Sequence, residues 1–581
     1  MENAQIADLL DETADLLELA SGDPFRIRAY REAARTVRTL PRRCEDLAGG
    51  AADFRELPHV GKSMAEHIAE ILRTGACGRL LELRRKVPPA LTTLLKVPQL
   101  GPRRARLVYD ELGVTSLDEL KKACEAHRLA AIKSLGIKTE ENILRGLSTL
   151  GAGSGRMLYK EASDHAEALG RHLSQLKTIT RWEIAGSFRR RKETVGDLDV
   201  LVVARDRTRA AAEILNYASI AEVTSRGAER VAVRLDGGLQ VDFRFFEPKE
   251  IGAAQLYFTG SKAHNIALRK LVLKHRWKLN EYGLYRGRRR IAGATEEEVY
   301  AKLGLAWIPP ELREDRGEIE AAARGELPEL IELADIHGDL HCHTKATDGA
   351  DSIEAMATAA QARGYEYLAI TDHSKAVAIV KGLNEARLKK HVEAIRKVAA
   401  SLEGERAVGR GRARGFWLLA GVEVDILRDG RLDLDERVLA SLDWVVASVH
   451  SHFHLDEAAM TKRLLAAVRS GVVHCLGHPL GRIIGRREPI QADWQKIFAA
   501  CREHRVRIEI NAQPDRLDMP DHLCQLAKAA GVGFVISTDA HKQSDLEFMP
   551  LGVGMARRGW LERHDVLNTL SSLLLRKNLR K

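Results

Sequence analysis

From Asp335 onward the chain repeats one pattern, a short apolar run followed by a helical stretch. Tyr367-Leu368-Ala369-Ile370, Trp444-Val445-Val446-Ala447, Arg507-Ile508-Glu509-Ile510 and Phe534-Val535-Ile536 read as buried strands between helices. Repeated β-then-α units over some 240 residues predict an α/β barrel. In a barrel the C-terminal ends of the strands converge on one rim, so residues far apart in sequence meet there.

Histidine collects in this region: 14 of 21 lie from residue 336 onward. His341-Cys342-His343 is followed by Asp348, and then come Asp372-His373, Glu423, His450, His478 and Asp539-Ala540-His541, each just after an apolar strand. A single histidine is more often a satisfied structural or surface residue than a ligand. Nine candidates at strand ends (His341, His343, Asp348, His373, Glu423, His450, His478, Asp539 and His541) are hard to reconcile with that. Mixed imidazole and carboxylate donors suit Mn²⁺, Zn²⁺ or Fe²⁺, and such a cluster would activate water and hold a phosphodiester. Asp372 reads as orienting a ligand, and His452 and His454 fall outside the pattern.

A second centre lies upstream, in Gly186-Ser187-Phe188-Arg189-Arg190-Arg191-Lys192-Glu193-Thr194-Val195-Gly196-Asp197-Leu198-Asp199. Apolar Val200-Leu201-Val202-Val203 follows, so Asp197 and Asp199 belong to a strand and share a face. Two carboxylates held together repel unless a cation lies between them, and hard oxygen donors suit Mg²⁺ or Mn²⁺. The alternating run Gln240-Val241-Asp242-Phe243-Arg244 offers Asp242 as a third carboxylate. Three carboxylates from two strands can hold two ions ~3.5–4 Å apart, the arrangement of phosphoryl transfer. Gly186-Ser187 offers backbone N–H groups, and the run Arg189–Lys192 is expected to supply positive charge to a nucleoside triphosphate.

Residues 1–150 read as nearly all helix, with Ile6, Leu9, Leu10, Leu16 and Leu17 at helical spacing. Three glycine turns recur there, around Gly61-Lys62, Gly101-Pro102-Arg103 and Gly136. Each would present N–H groups at a helix start to a DNA phosphate. The formal charge of +10 permits a polyanion partner without requiring one. Seven scattered cysteines with no Cys-x-x-Cys pair, a polar N-terminus and no long apolar run point to a cytoplasmic protein with no membrane partner; a monomer is expected, although these features leave the oligomeric state open. The charged stretch from Arg313 to Leu333 reads as a linker, helical in part, and Gly409–Gly415 as an exposed insertion.

On these motifs the chain resembles bacterial family X DNA polymerases, which join a DNA polymerase beta-like core to a C-terminal PHP (polymerase and histidinol phosphatase) domain. Phe25-Arg26-Ile27-Arg28-Ala29-Tyr30-Arg31, the Gly186–Asp199 segment, Asp242 and Tyr257-Phe258-Thr259-Gly260-Ser261-Lys262-Ala263-His264-Asn265 carry the likeness. It implies a multidomain fold: all-α helix-hairpin-helix domains at 1–82 and 83–152, and an α+β nucleotidyltransferase palm at 153–248. A nucleotide-binding subdomain at 249–315, a linker at 316–334 and an α/β PHP domain at 335–575, a distorted (β/α)7 barrel, would follow.

The resemblance further implies that Asp197, Asp199 and Asp242 hold two Mg²⁺ or Mn²⁺ ions, with Asp242 the base nearest the primer 3′-hydroxyl. Gly186, Ser187, Arg190 and Gly196 would contact the triphosphate, Tyr257, Phe258 and Gly260 the sugar, and Asn265 the base. Gly61, Lys62, Gly101, Arg103, Arg244 and Arg269 would face gapped or primer-template DNA. The nine PHP ligands imply up to three ions and a Mn²⁺-dependent 3′–5′ exonuclease, with 3′-phosphatase or abasic-site endonuclease as related activities. The expected function is gap-filling synthesis from dNTPs in DNA repair. Its rivals are a phosphoesterase with a DNA-binding polymerase remnant and a nucleotidyltransferase acting on RNA ends. His67 stands where relatives carry a Schiff-base lysine, which argues against 5′-deoxyribose phosphate lyase activity there. His59, Ser63 and Lys262 also depart from the pattern.

Overall fold

The computed structural model describes residues 3–20, 23–38, 44, 53–58, 60–88, 91, 94–95, 97, 100–129, 131–132, 135–137, 139–140, 143–144, 156–227, 229–407 and 416–579. They fall into two compact units, Met1–Gly155 and Arg156–Lys581.

The first unit is helical among its described residues, with α-helices Asn3–Leu19, Pro24–Arg38, Lys62–Thr74, Gly78–Lys86, Pro102–Leu112 and Leu117–Glu125. Ile6, Leu10, Leu16 and Leu17 are buried, as their spacing on one helix face requires. Gly61 and Gly101 cap the helices that start at Lys62 and Pro102. His59, Pro98, Gln99 and Lys138, along with the side chain of Arg103, lie outside the described residues, as does the stretch 409–415.

In the second unit, after helix Tyr159–Leu173, comes a five-stranded sheet of β1 (Ile179–Ile184), β2 (Asp197–Ala204), β3 (Ile220–Arg226), β4 (Arg230–Leu235) and β5 (Gln240–Phe245), in the order β1-β2-β5-β4-β3. Only β2 and β5 run parallel. Leu198, Val200 and Val202 pack with Val231, Val233, Val241 and Phe243. Leu201 and Val203 pack on the other face with Ala185, Phe246 and Ile251. A strand buried on both sides must be apolar at successive positions, which is why Val200–Val203 lacks alternation. Helices Ile251–Thr259 and Lys262–Lys274 and a small three-stranded sheet follow.

Beyond them, β6 (Gly338–Cys342), β7 (Tyr367–Ile370), β8 (Trp417–Asp425), β9 (Trp444–Ser448), β10 (Cys475–Leu476), β11 (Arg507–Asn511) and β12 (Phe534–Ser537) form one all-parallel sheet in chain order. A parallel bridge between Cys342 and Ala540 and the bond from Thr538 N–H to Asp339 (3.2 Å) bring its two edges together into a nearly closed barrel.

The stretch read as a linker is packed instead. Arg313 and Glu318 are fully buried, while the helical part expected of the stretch is present as Glu318–Arg324. Its charges resemble a solvated surface because their partners are distant in sequence: Arg313 pairs with Glu296 (2.6 Å) and Glu318 with His264 (2.6 Å). Among the described residues no helix is long and apolar enough to cross a membrane.

Candidate active sites

The parallel pairing of β2 and β5 sets Asp199 opposite Asp242, and Asp197 joins them with one ligand oxygen of each within 4.8 Å of the others. Burial, and then Asp197, push the Asp199 carboxyl up to about 7. Burial and Asp242 likewise raise Asp197. A divalent cation between them would remove that repulsion, so the donor set fits the ions expected. Gly186 has φ +69°, and a Cβ there would lie 3.0 Å from Asp199 Oδ2. A side chain at 186 would therefore be both strained and pressed against the carboxylate. The next residue, Ser187, has a buried hydroxyl with no hydrogen-bond partner, which a phosphate oxygen would satisfy.

Asp242 is held on both oxygens, Oδ1 accepting from Arg230 Nε (2.9 Å) and Oδ2 from Gln240 Nε2 (3.1 Å). Arg230 was not anticipated from sequence. Its signal lay in strand alternation: Ala232 pairs with Asp242, and Arg230, two residues before, points to the same face.

The helix Ile251–Thr259 brings Tyr257 and Phe258 to the site, with ring centroids 5.0 Å apart and edge-on. Arg244 lies over Phe258 at 4.6 Å and Arg269 over Tyr257 at 5.3 Å, so both expected DNA contacts stack on aromatic rings of the nucleotide segment. Asn265 Nδ2 donates to the Tyr257 carbonyl (2.7 Å). The Gly260–Ser261 peptide is cis, and Arg190 donates to the Thr259 carbonyl beside it. Gly196 lies against Arg156, whose Nη2 donates to the Thr194 carbonyl (2.6 Å).

The run Arg189–Lys192 does not stand free to attract anions. Arg189 pairs with Glu296 (2.8 Å), Arg190 with Glu314 (3.1 Å) and Arg191 with Glu311 (3.6 Å). Burial, then Arg558, lowers the Lys192 ammonium. Most of this charge ties the loop to carboxylates more than a hundred residues away, while Arg189 also donates to Thr259 Oγ1 (2.8 Å) and Arg190 lies against Gly260.

At the C-terminal ends of the barrel strands all nine expected imidazoles and carboxylates meet in one pocket. Glu423 is its centre. Its Oε2 lies 2.9 Å from His373 Nδ1, 3.4 Å from His341 Nε2 and 3.6 Å from His343 Nε2. Its Oε1 lies 2.9 Å from His478 Nε2 and 3.2 Å from His450 Nε2. Asp539 Oδ1 is 3.0 Å from His343 Nε2, and Asp348 Oδ2 is 3.3 Å from both His373 and His541 Nε2.

Several of these atoms, namely His341 Nε2, both nitrogens of His343, His373 Nδ1, His450 Nε2 and Glu423 Oε2, are buried yet make no hydrogen bond. Donors that face each other closely without hydrogen-bond geometry are what a set of divalent ions would satisfy, so the pocket fits a metal cluster.

Supporting carboxylates stand behind the ligands. Glu509 accepts from His341 Nδ1 (2.7 Å), Asp425 contacts His450 Nδ1 (3.1 Å), and Asp372 takes Thr344 Oγ1 (2.7 Å) and lies 2.8 Å from His391 Nε2. Glu509 and Asp425 were missed. Their one sequence signal was a carboxylate inside an apolar strand. His452 and His454 are exposed. In the first unit Lys62 is exposed, and His67 Nδ1 bonds Tyr30 Oη (2.9 Å).

Helical hairpins, a carboxylate triad on a mixed palm sheet and an imidazole-rich barrel rim define a divalent-metal nucleotidyltransferase joined to a phosphoesterase. Family models agree along the chain: a helix-hairpin-helix domain matches residues 1–77, a SAM-like helix-hairpin-helix tandem 91–149, the DNA polymerase beta palm 156–233, the DNA polymerase beta thumb 254–314 and a PHP domain 339–513. The palm match stops short of Asp242, and the PHP match short of Asp539 and His541.

The chain is 36% identical over 575 residues, 98% of both chains, to the DNA polymerase/3'-5' exonuclease PolX of Bacillus subtilis (strain 168). It is 25% identical over 348 residues to DNA polymerase lambda of Arabidopsis thaliana, covering 54% of this chain and 62% of the relative. A probable phosphatase of Caldicellulosiruptor bescii is 25% identical over 217 residues, 36% of this chain and 81% of that one. The chain belongs to the bacterial family X DNA polymerases that carry a C-terminal PHP domain.

Proposed function

We propose that this chain fills short gaps in DNA from dNTPs during repair and trims 3′ ends at its PHP centre. The observation that carries the first half is the meeting of Asp197, Asp199 and Asp242 beside the Gly186 turn. Two Mg²⁺ or Mn²⁺ ions bound there would stabilise negative charge on the reacting phosphates. Asp242 takes the proton of the primer 3′-hydroxyl, whose oxygen bonds to the α-phosphorus as pyrophosphate leaves. Ser187, Arg190 and the backbone of Gly186 and Gly196 hold the triphosphate. Tyr257, Phe258 and Gly260 border the sugar, and Asn265 the base. The glycine turns at Gly61 and Gly101, with Lys62 and Arg103, grip the DNA backbone, and Arg244 and Arg269 serve the template side.

The second half is supported by the nine converging donors around Glu423, which suit Mn²⁺ and would let one pocket hold a water and a 3′-terminal phosphodiester. Likeness to probable phosphatases supports 3′-phosphatase activity at the same centre. Primer extension and degradation on gapped DNA test both halves. Asp199→Ala should stop synthesis and spare hydrolysis, and His343→Ala should do the reverse. Loss of both activities from either substitution contradicts two independent centres.

A further inference from the structure

A buried charge network joins the loop carrying Arg190 to the barrel. Arg558, at the end of helix Met549–Arg558, is 2% exposed. Its Nη1 donates to the Arg190 carbonyl (2.6 Å), and its Nη2 donates to Glu314 Oε1 (3.1 Å) and to Asp521. The same Glu314 oxygen accepts from Arg190 Nε (3.1 Å). Against the burial that would raise it, Arg558, Lys192 and Arg190 hold the Glu314 carboxyl down to about 2. Two further ties secure the loop to the barrel: Arg191 Nη1 donates to the Pro550 carbonyl (3.2 Å), and Arg482 pairs with Glu193 (2.6 Å).

We propose that Arg558, a barrel residue, is a positioning residue for the incoming nucleotide at the polymerase centre. The inference rests on the reading of Arg190 as a triphosphate contact. To turn toward a triphosphate, Arg190 must release Glu314, and a buried carboxylate left without a partner is strongly unfavourable. Arg558 removes that obstacle by remaining on Glu314 and fixing the Arg190 carbonyl. Without it, Glu314 would hold Arg190 as its nearest arginine, and the nucleotide would have to break that pair.

Single-nucleotide insertion by the full chain on gapped DNA tests this. Arg558→Gln should raise the dNTP KM by about tenfold with kcat within about twofold. Hydrolysis of single-stranded DNA by the same preparation should be retained, which reports a folded barrel. Adding Glu314→Gln should return the KM to within about threefold of the parent, because a neutral amide no longer competes for Arg190.

A merely structural role for Arg558 predicts that the double variant is worse, and that result overturns the proposal. Arg190→Ala separates the levels. If it leaves the dNTP KM unchanged, the underlying reading of Arg190 fails. If it raises KM while Arg558→Gln does not, the role of Arg558 fails. Should Arg558→Gln also lose hydrolysis, Glu314→Gln alone decides: it should lower the dNTP KM by about threefold, and no fall or a rise overturns the proposal.

Discussion

Glu509→Gln tests whether the imidazole cluster is a metal centre held from behind. Glu509 lies in β11 and is fully buried. One of its oxygens is 2.7 Å from His341 Nδ1, and the other accepts from the His478 N–H (2.6 Å) and Asn511 Nδ2 (3.1 Å). With a divalent ion bound, Glu509 would keep the proton of His341 on Nδ1 and leave Nε2, which lies 3.4 and 3.6 Å from Glu423 and Asp539, as the ligand atom. Glutamine has the same shape but only one accepting oxygen. With that oxygen on the His478 N–H, its amide N–H₂ faces His341 Nδ1, and the tautomer that relieves the clash protonates Nε2, the ligand atom.

A hydrogen bond to a charged group contributes about 1.5–3 kcal/mol. At ~1.4 kcal/mol per tenfold, its loss is worth about 10–100-fold in metal affinity. In 3′-end hydrolysis of single-stranded DNA titrated with Mn²⁺, the half-maximal concentration should rise by that factor, while primer extension stays within about twofold. An unchanged Mn²⁺ dependence, or a parallel loss of extension, refutes the reasoning.

Gly61→Ser and Gly101→Ser together should leave the melting temperature of the chain nearly unchanged, because both helix caps have ordinary negative φ (−78° and −64°), and a Cβ at either meets nothing within 4 Å. Affinity for gapped DNA, measured by fluorescence anisotropy, should nevertheless fall, since the open space at these turns is where a phosphate would approach. Glu314 predicts a pH effect on stability. Its carboxyl ordinarily titrates near 4.5 and is held at about 2 in the folded chain, so its contribution is complete above 4.5 and is lost as pH falls toward 2. The melting-temperature gap between the parent and Glu314→Gln should therefore narrow as pH falls from about 6 to about 3, and a constant gap would count against the pairing.

Much of both centres was legible because strand geometry is periodic. Asp197 and Asp199 two apart, and ligands placed just beyond apolar runs, follow from the pleat and from parallel strands ending on one rim. What sequence did not reveal were groups defined only by partners across the fold. Arg230 reaches Asp242 from the neighbouring strand, and Glu509 supports a histidine 168 residues earlier. The linker reading failed for the same reason: alternating charge between Arg313 and Glu318 resembles a solvated segment until Glu296 and His264 are seen to bury it.

The arginine run shows the functional consequence. By composition Arg189–Lys192 is a cationic patch, and a free patch would attract any polyanion. Glu296, Glu311 and Glu314 absorb three of its charges within 3.6 Å, so the loop acts as a joint rather than an attractor. Glu311 and Glu314 in turn pair with Arg557 (2.8 Å) and Arg558 (3.1 Å) of the barrel. The loop that shapes the carboxylate centre is thus clamped to the domain that carries the imidazole centre. A pair buried this way is costly to break from one side only. Loss of the barrel would take Arg557 and Arg558 away and leave Glu311 and Glu314 on Arg191 and Arg190 alone, so the loop that shapes the carboxylate centre draws part of its buried pairing from the domain that carries the imidazoles.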